Sequence, residues 1–534
     1  MTKNLLIALT IIIGFLSAQI DTVWTRRENG SGDSTDIPTA MVLDNQGNLY
    51  LTGYSQGNGT AYDFLTIKYS PTGQRLWSKR FNGSGNFDDK AYDIAIDDSN
   101  YIYVGGIVFN PSRNFLIIKY SADGDTVWTR SPSINGAVVD QPTKIAIRNG
   151  SLYFAGTINR TATSEDYIII KYTTTGDFVW INTYDGYNGI DRLTGITTDD
   201  SNNVIVTGYS YGTGTGYDYA TIKYSPLGET VWAKRYNGTA NNQDYARAIC
   251  TDNFGNIYVA GEIRNQVTRY DFGIIKYRPD GETLWTRTYN GNANNDDFPK
   301  AMATDAFGNV YVCGYSMGSG TYYDYATVKY SNVGELVWVK RYDGPSNSFD
   351  RANAITVDNY GNVYITGASE GAGSQFDYLT LKYNNNGDTI WQIRFDSGIN
   401  GIDEPVAILT DNLGNIYVTG FSASTSHDYD FLTIKYSEPN TVREFHYILS
   451  PETFFVTNIA RNKGFAQVRL RKNTELTMRL YNINGELVKE IIAGNFGAGE
   501  HKFDFDVSEI SSGVYLCCLE LLQTSVIKKV IVMH

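Results

Sequence analysis

"DYARAICTDNFGNIYVAGEIRNQVTRYDFGIIKYRPDGETLWTRTYNG", residues 244–291, is the stretch that decides the fold. It contains four strand-like runs, YARAICT, NIYVAG, DFGIIKY and ETLWTRTY, separated by DNFGN, by a loop that begins with glycine, and by RPDGE. Gly and Asn in the short joints supply the left-handed conformations that hairpin turns need, and no helical period of apolar residues is present. The stretch therefore predicts a four-stranded antiparallel meander.

The same unit recurs along most of the chain. Its tryptophan marks the register, with gaps of 51 to 53 residues, at Trp24, Trp77, Trp128, Trp180, Trp232, Trp285, Trp338 and Trp391. A sheet with two apolar faces cannot bury both of them alone, and radial stacking of sibling sheets solves that problem. The period predicts an all-β fold, an eight-bladed β-propeller.

The first tryptophan strand stands apart from the rest of its unit. It lies in "DTVWTRR", residues 21–27, ahead of the first full unit, which begins near Asp36. The last unit ends at "DYDFLTIKY", residues 428–436, after three of its four strands. The sequence predicts that the N-terminal strand completes the last blade and closes the ring, which removes an exposed sheet edge.

Composition limits the classes of partner. The 534 residues are 42% hydrophobic and 19% charged, which is typical of an ordered chain rather than a disordered one. The net charge of -13 argues against nucleic acid and anionic membrane surfaces as partners.

The N-terminal residues have the pattern of a targeting segment. In "MTKNLLIALTIIIGFLSA", residues 1–18, Lys3 precedes an apolar run from Leu5 to Leu16 and small residues follow. This pattern predicts a secretory signal peptide over residues 1–18. The alternative is a membrane anchor, for which the run is short.

The repeat pattern "D…A…D…GNIYVTG…DYLTIKY…G…VW" resembles the bacterial SBBP type of β-propeller repeat over residues 21–436. The resemblance implies a propeller domain over residues 19–436 and implies little about activity. No cofactor is expected.

Residues 437–446 read as a linker, and residues 447–534 show the strand runs of a small β-sandwich. The "NGELV" turn, the "GAGEHKFDFD" step, the "SGVY" turn and the basic pair Lys528 and Lys529 resemble the C-terminal sorting domain of the type IX secretion system. The segment is also similar to the immunoglobulin-like fold of flagellar hook-capping proteins, and a plain accessory sandwich is the alternative. The resemblance implies the type IX machinery as a partner and export through the periplasm to the outer cell surface or the medium.

Three series of aspartates recur with the repeat. The first precedes the innermost strand of each unit, where it is expected to ring one mouth of the central channel: Asp36, Asp89, Asp140, Asp191, Asp244, Asp297, Asp350 and Asp403. Such a ring is a candidate cation site, and the alternative is that each carboxylate accepts backbone N–H groups between blades. The second series, as in "DNFGN", predicts turn capping, and the third precedes the "KY" strand and points to structure.

Catalytic motifs are scarce. The repeats contain one histidine, His427, and no metal-spaced histidines, nucleophile elbow or phosphate-binding glycine loop. The sequence therefore predicts a non-enzymatic, secreted or surface-displayed scaffold that binds a glycan or protein through variable loops on one face. An extracellular hydrolase or lyase acting on polysaccharide or peptide is the alternative. The candidate binding residues are Tyr209, Tyr211, Tyr315, Tyr322, Tyr323 and His427, although packing between blades is an equal alternative for the tyrosines.

Overall fold

The computed structural model describes residues 20–110, 112–132, 134, 137–160, 164–424, 428–438, 453–456, 459–460, 462–470, 473–482, 485–521 and 524–533. These residues form β-strands joined by turns, and they contain no helix. The all-β prediction is confirmed. The predicted signal peptide, residues 1–18, and most of the predicted linker lie outside the described residues.

Thirty-two strands come from the repeats. They are β1 Asp21–Glu28, β2 Asp36–Leu43, β3 Leu49–Gln56, β4 Tyr62–Tyr69, β5 Arg75–Phe81, β6 Lys90–Ile96, β7 Ile102–Phe109, β8 Arg113–Tyr120, β9 Thr126–Arg130, β10 Ala137–Arg148, β11 Ser151–Arg160, β12 Ser164–Thr173, β13 Phe178–Tyr184, β14 Asp191–Thr198, β15 Val204–Gly212, β16 Gly216–Tyr224, β17 Thr230–Tyr236, β18 Tyr245–Thr251, β19 Ile257–Asn265, β20 Arg269–Tyr277, β21 Thr283–Tyr289, β22 Asp297–Thr304, β23 Val310–Met317, β24 Tyr323–Tyr330, β25 Leu336–Tyr342, β26 Asp350–Val357, β27 Val363–Glu370, β28 Phe376–Tyr383, β29 Thr389–Phe395, β30 Asp403–Thr410, β31 Asn415–Ala423 and β32 Tyr429–Ser437.

These strands form eight four-stranded antiparallel sheets among the described residues. Sheets 1 to 7 follow the chain, four strands each, from β2–β5 in sheet 1 to β26–β29 in sheet 7. Sheet 8 has the order β1-β32-β31-β30, with Trp24 opposite Lys435. The predicted pairing of the N-terminal strand with the last repeat is therefore confirmed.

Aspartates of the second series cap the turn between the first two strands of a repeat. In sheet 5, Asp252 Oδ1 accepts the backbone N–H groups of Phe254 and Asn256, both at 2.9 Å. Gly255 follows with φ of 78°, a conformation that glycine adopts without steric cost. The turn-capping prediction is confirmed, because a carboxylate here satisfies donors that the sheet leaves unpaired.

Tryptophan and lysine join each sheet to the next. The indole Nε1–H and the Lys Nζ of one sheet donate to one carbonyl in the last turn of the following sheet: Trp77 and Lys68 to Ala122, Trp128 and Lys119 to Thr174, Trp180 and Lys171 to Pro226, Trp232 and Lys223 to Pro279, Trp285 and Lys276 to Asn332, and Trp338 and Lys329 to Asn385. We call this contact the Trp–Lys clasp. It explains why both residues recur in every repeat.

The clasp continues across the two ends of the repeat array. Trp24 and Lys435 of sheet 8 donate to Pro71 O of sheet 1, at 3.2 and 3.0 Å. Sheet 8 has no last turn because the chain leaves after β32, and the Glu438 carboxylate takes its place as acceptor for Trp391 and Lys382. First strands of successive sheets are also neighbours, and β30 lies against β2.

The C-terminal residues form two further sheets. Their strands are β33 Thr453–Val456, β34 Ile459–Ala460, β35 Lys463–Leu470, β36 Thr474–Asn482, β37 Leu487–Phe496, β38 Gly499–Asp506, β39 Gly513–Leu521 and β40 Thr524–Val532. The orders are β33-β35-β38 and β34-β40-β39-β36-β37. One apolar core lies between both sheets and includes Val468, Phe505, Met478, Cys517 and Leu519.

Candidate functional site

The first strand of each repeat presents alternate residues to opposite sides, because side chains alternate along a strand. In β14, β22 and β26 the first-series aspartate is the first residue, and both it and the residue two positions later are buried. Position three after the aspartate is a β-bulge in the described sheets, as at Thr194, Arg247 and Lys300. Bulges redirect side chains and are common beside functional sites.

At three junctions the bulge residue, Thr39, Thr194 or Asn353, makes a short polar contact with the next sheet. Thr39 Oγ1 donates to Ala91 O of the next sheet at 3.1 Å, and Thr194 Oγ1 donates to Ala246 O at 3.0 Å. Asn353 Nδ2 donates to Pro405 O at 2.9 Å. Arg247 in sheet 5 and Lys300 in sheet 6 replace this contact with long cationic side chains. The bulge residue thus varies among the repeats, with Tyr92 in sheet 2 and Val406 in sheet 8, and it is cationic in sheets 5 and 6.

Four basic residues on successive first strands form the charged cluster: Arg192, Arg247, Lys300 and Arg351. Arg247 forms a two-bond ion pair with Glu262, at 2.8 and 3.0 Å. Arg192 pairs likewise with Glu165, and Arg351 pairs with Glu404 at 2.6 Å. Three glutamates thus neutralise three of the four cations.

Lys300 is the one cation of the charged cluster that has no glutamate partner among the described residues. Its side chain is exposed, and it forms no ion pair with any carboxylate of the described chain. Its Nζ lies 5.3 Å from the centre of the Tyr315 ring. Partial desolvation by the neighbouring strands lowers the pKa of Lys300. The negative charges of Glu262 and Glu404 act in the opposite direction, and the positive charges of Arg247 and Arg351 repel the ammonium. An anion placed here would relieve that repulsion.

A row of aromatic rings borders the charged cluster, and we call it the aromatic belt. It runs through ring contacts of 4.9 to 6.2 Å between centres, in the order Tyr211, Tyr217, Tyr209, Tyr245, Tyr270, Phe298 with Tyr315, Tyr323, Phe349 and Tyr322. Arg247 Cζ lies 5.2 Å from the Tyr245 ring, which joins the two features. A smaller group, Tyr54, Tyr62 and Tyr92, lies in sheets 1 and 2.

All five tyrosines predicted from the sequence lie in the aromatic belt. Tyr211 and Tyr322 are 44% and 57% exposed, whereas Tyr209, Tyr315 and Tyr323 are half-buried between other rings. The packing role is therefore observed for three of the tyrosines, and two rings are open to solvent. His427 lies outside the described residues. The use of the five tyrosines and His427 in ligand binding stays a prediction.

The first-series aspartates face the junctions between sheets. Seven are fully buried, and each accepts a backbone N–H from the preceding loop, as Asp350 does from Gly344 at 2.6 Å and Asp244 from Gly238 at 2.5 Å. Nothing is described of the Asp140 side chain. A ring of exposed carboxylates at a channel mouth is therefore not formed by these seven, because their position in the strand turns them inward.

Burial has a strong electrostatic effect on these carboxyls. It raises the pKa of Asp191, Asp244, Asp297 and Asp350 to about 6 in each case, although hydrogen bonds from nearby groups act in the opposite direction. Groups with such pKa values suit acid–base catalysis at neutral pH. Because they are fully buried, they have no access to a substrate.

Small groups of carboxylates at the junctions are the residues that could hold a metal. Asp166, Asp185 and Asp191 offer oxygens within 4.8 Å of one another, as do the equivalent groups Asp324, Asp343 and Asp350, and Asp377, Asp396 and Asp403. A guanidinium already accompanies each group, such as Arg394 at 2.8 Å from Asp377. These positive charges lower the need for a metal cation.

The sequence reasoning missed the charged cluster. Arg247 and Lys300 are recognisable in the aligned repeats only as cations at one register position, three residues after the first-series aspartate, where Thr, Asn, Tyr and Val also occur. The glutamates that pair with Arg192, Arg247 and Arg351 come from other strands or sheets, so no local motif marks the cluster.

Comparisons with protein families agree with the repeat architecture. Residues 23–59, 231–265 and 285–320 match the model of the SBBP beta-propeller repeat, and residues 462–533 match that of the secretion system C-terminal sorting domain. The chain thus carries SBBP β-propeller repeats and a type IX sorting domain. The sorting domain implies handling by the type IX secretion system and export to the cell surface or extracellular space.

An uncharacterized WD repeat-containing protein of Acanthamoeba polyphaga mimivirus is 22% identical over 72% of this chain. The chain spans 33% of that protein's length. Among solved structures, polysaccharide lyase Uly1 is 12% identical, with coverage of 64% of this chain and 88% of that one and a TM-score of 0.41. Drosophila Semaphorin 2a is 10% identical, with coverage of 95% and 97% and a TM-score of 0.36.

A ulvan lyase of family PL25 bound to -[GlcA(1-4)Rha3S]- is 14% identical, with coverage of 76% of this chain and 95% of that one and a TM-score of 0.39. The described part of this chain has no helix with the length and hydropathy needed to cross a bilayer.

Proposed function

We propose that this protein is a secreted or surface-displayed, non-enzymatic scaffold that binds a glycan or protein ligand. Its framework is a closed eight-bladed β-propeller made of sheets 1 to 8, followed by an immunoglobulin-like sandwich that directs export through the periplasm. Ring closure is supported by the pairing of β1 with β32 and by the Trp–Lys clasp on Pro71 O.

The observation that carries the binding function is the break in the repeat regularity. A device that only holds the sheets together recurs in every repeat, as the Trp–Lys clasp does. The charged cluster and the aromatic belt instead extend over sheets 4 to 7, where exposed rings and cations lie together. Variable residues of this kind on a rigid framework are typical of recognition surfaces.

A non-enzymatic role is supported by where the titratable groups lie. The carboxyls with pKa values near neutrality are fully buried, and the histidine of the repeats, His427, is a single residue without a metal-spaced partner in the sequence. The alternative is a hydrolase or lyase, which requires a reactive group exposed to the ligand.

The test uses the full-length protein on a glycan array and, in parallel, in a hydrolase and lyase panel. Saturable binding without turnover is the expected result. Tyr322→Ala should weaken binding about five- to tenfold, since one aromatic contact contributes about 1 kcal/mol. Tyr360→Ala is the matched control, because Tyr360 is 50% exposed in the turn between β26 and β27.

Two outcomes would contradict this proposal. Turnover of a polysaccharide or peptide that is lost with a loop carboxylate or His427 would favour the enzyme. Equal loss of binding in Tyr322→Ala and Tyr360→Ala would show that the aromatic belt is not the binding surface.

A further inference from the structure

We propose that the ligand is an acidic glycan and that Lys300 binds its carboxylate or sulfate groups. This inference rests on the proposed binding function and names the ligand class for the same surface. It begins from a contrast in charge: the whole chain carries -13, whereas the charged cluster with its three glutamates carries one positive charge in excess.

Lys300 carries that excess positive charge. It lies on β22, between the strands that carry Arg247 and Arg351, and both of those cations influence its pKa. The arginines hold their glutamates, whereas the Lys300 ammonium is exposed and forms no ion pair within the described chain. An incoming anion would therefore meet an ammonium that needs no prior release from a carboxylate.

The arginines support this site in a second way. Arg247 presents its Nε and Nη2 edge to Glu262, which is itself buried, and this fixes the guanidinium in one orientation. A fixed guanidinium loses less side-chain entropy on binding a further anion than a mobile one does. The Arg247–Glu262 pair thus places a fixed guanidinium near Lys300, while the glutamate balances the charge of that guanidinium.

The aromatic belt selects the shape of the ligand. Tyr211 and Tyr322, at its two ends, are 44% and 57% exposed, and the belt approaches the charged cluster at Tyr245 and Tyr315. Flat apolar faces suit pyranose rings, and an isolated cation suits an anionic group carried on such a ring.

The experiment compares matched acidic and neutral glycans on the full-length protein by calorimetric titration. Polygalacturonate is paired with its fully methyl-esterified form, and dextran sulfate is paired with dextran. The acidic member of at least one pair should bind more tightly than the neutral member. Added salt should weaken that binding because the contact is ionic. The pair that responds identifies carboxylate or sulfate as the source of the anion.

Lys300→Gln removes the charge and keeps most of the side chain at an exposed bulge. We expect it to weaken binding of the acidic glycan about tenfold, the loss that one charge-assisted contact of about 1.4 kcal/mol gives. Lys79→Gln, on the outermost strand β5 of sheet 1, is the matched control and should bind as the parent does. Thermal unfolding of both variants checks that each is folded.

Several results would contradict this inference, and they can be told apart from a failure of the proposed binding function. If Lys300→Gln binds acidic glycans as the parent does, or the neutral glycans bind equally well, Lys300 does not select an anion. Tyr322→Ala would still weaken binding in that case if the proposed function is right. If no glycan binds at all, the ligand class is wrong and a protein ligand is the remaining candidate.

Discussion

Asp350 shows how a residue that looks like a binding group serves the fold. The repeat places it at the first position of an inner strand, and its carboxylate accepts Gly344 N–H inside a junction between sheets. Desolvation raises its pKa to about 6, well above the usual value for aspartate. The same holds for Asp191, Asp244 and Asp297. These side chains hold the loops between sheets, and they do so at an electrostatic cost near neutral pH.

That cost predicts a pH dependence. A carboxyl with a raised pKa binds more protons when folded, so its unfavourable contribution is fully present above about pH 6 and disappears as the pH falls toward the unfolded value of about 3.9. The asparagine side chain in Asp350→Asn does not titrate in this pH range. The unfolding free energy of the variant, relative to the parent, should therefore rise between pH 4 and 7 by on the order of 3 kcal/mol.

Denaturant unfolding at a series of pH values measures this difference. Asp297→Asn provides a second case, because burial raises the pKa of Asp297 to about 6 as well. A difference that stays flat with pH in both variants would show that these carboxyls are not desolvated as described.

At the level of elements, the first strand and the last repeat depend on each other. β1 supplies the outer strand of sheet 8, and Trp24 packs with Tyr69 of sheet 1 and Tyr417 of sheet 8. Arg27 reaches Asp430 at 3.2 Å, the contact that the third-series aspartates make in several other sheets. A strand that comes from the other end of the repeat array thus reproduces the Trp–Lys clasp and the arginine–aspartate ion pair of an ordinary fourth strand.

Removal of residues 19–27 should therefore destabilise the protein strongly. The deletion removes the hydrogen bonds between β1 and β32, each contributing about 1 kcal/mol net. It also removes Trp24, which is 6% exposed, and loss of a buried tryptophan costs about 3 to 5 kcal/mol. Thermal unfolding checks this against a control lacking only residues 19 and 20. Equal melting temperatures would rule out a stabilising role for β1.

At the level of the whole molecule, two parts with different tasks share one chain. The repeats form the framework and the candidate binding surface, and the sorting domain carries the export signal. The sorting domain has its own apolar core, which includes Leu476, Val507 and Val530. Export and ligand binding are therefore expected to be separable.

Deletion of residues 445–534 tests that separation in cells. The truncated protein should be retained inside the outer membrane, because the type IX machinery has lost its signal, while the repeats still bind the ligand in a cell extract. Fractionation followed by immunoblotting measures the location. Appearance of the truncated protein outside the cell at the parent's level would remove the sorting role from this domain.

Much of the fold was predictable because its determinants are local and repeated. Glycine at positions such as Gly255 and Gly281 determines the turns, and the tryptophan period identifies the repeats and the displaced strand β1. The sorting domain was recognisable for the same reason, from short turn motifs. Five of the eight tyrosines of the aromatic belt were predicted because the segment that contains them varies from repeat to repeat. The structure places Tyr322 in a loop and the other four near strand ends.

The sequence by itself determined the strands, their order within each sheet and the partner of β1, since these follow from turn chemistry and from a period repeated eight times. Only the tertiary structure decided which side chains face a ligand. A bulge arises from pairing with another strand, and a shift of one residue moves a side chain to the opposite face. Because of that shift, Asp297 is buried at the junction between sheets, whereas Lys300, three residues later, is exposed beside the aromatic belt.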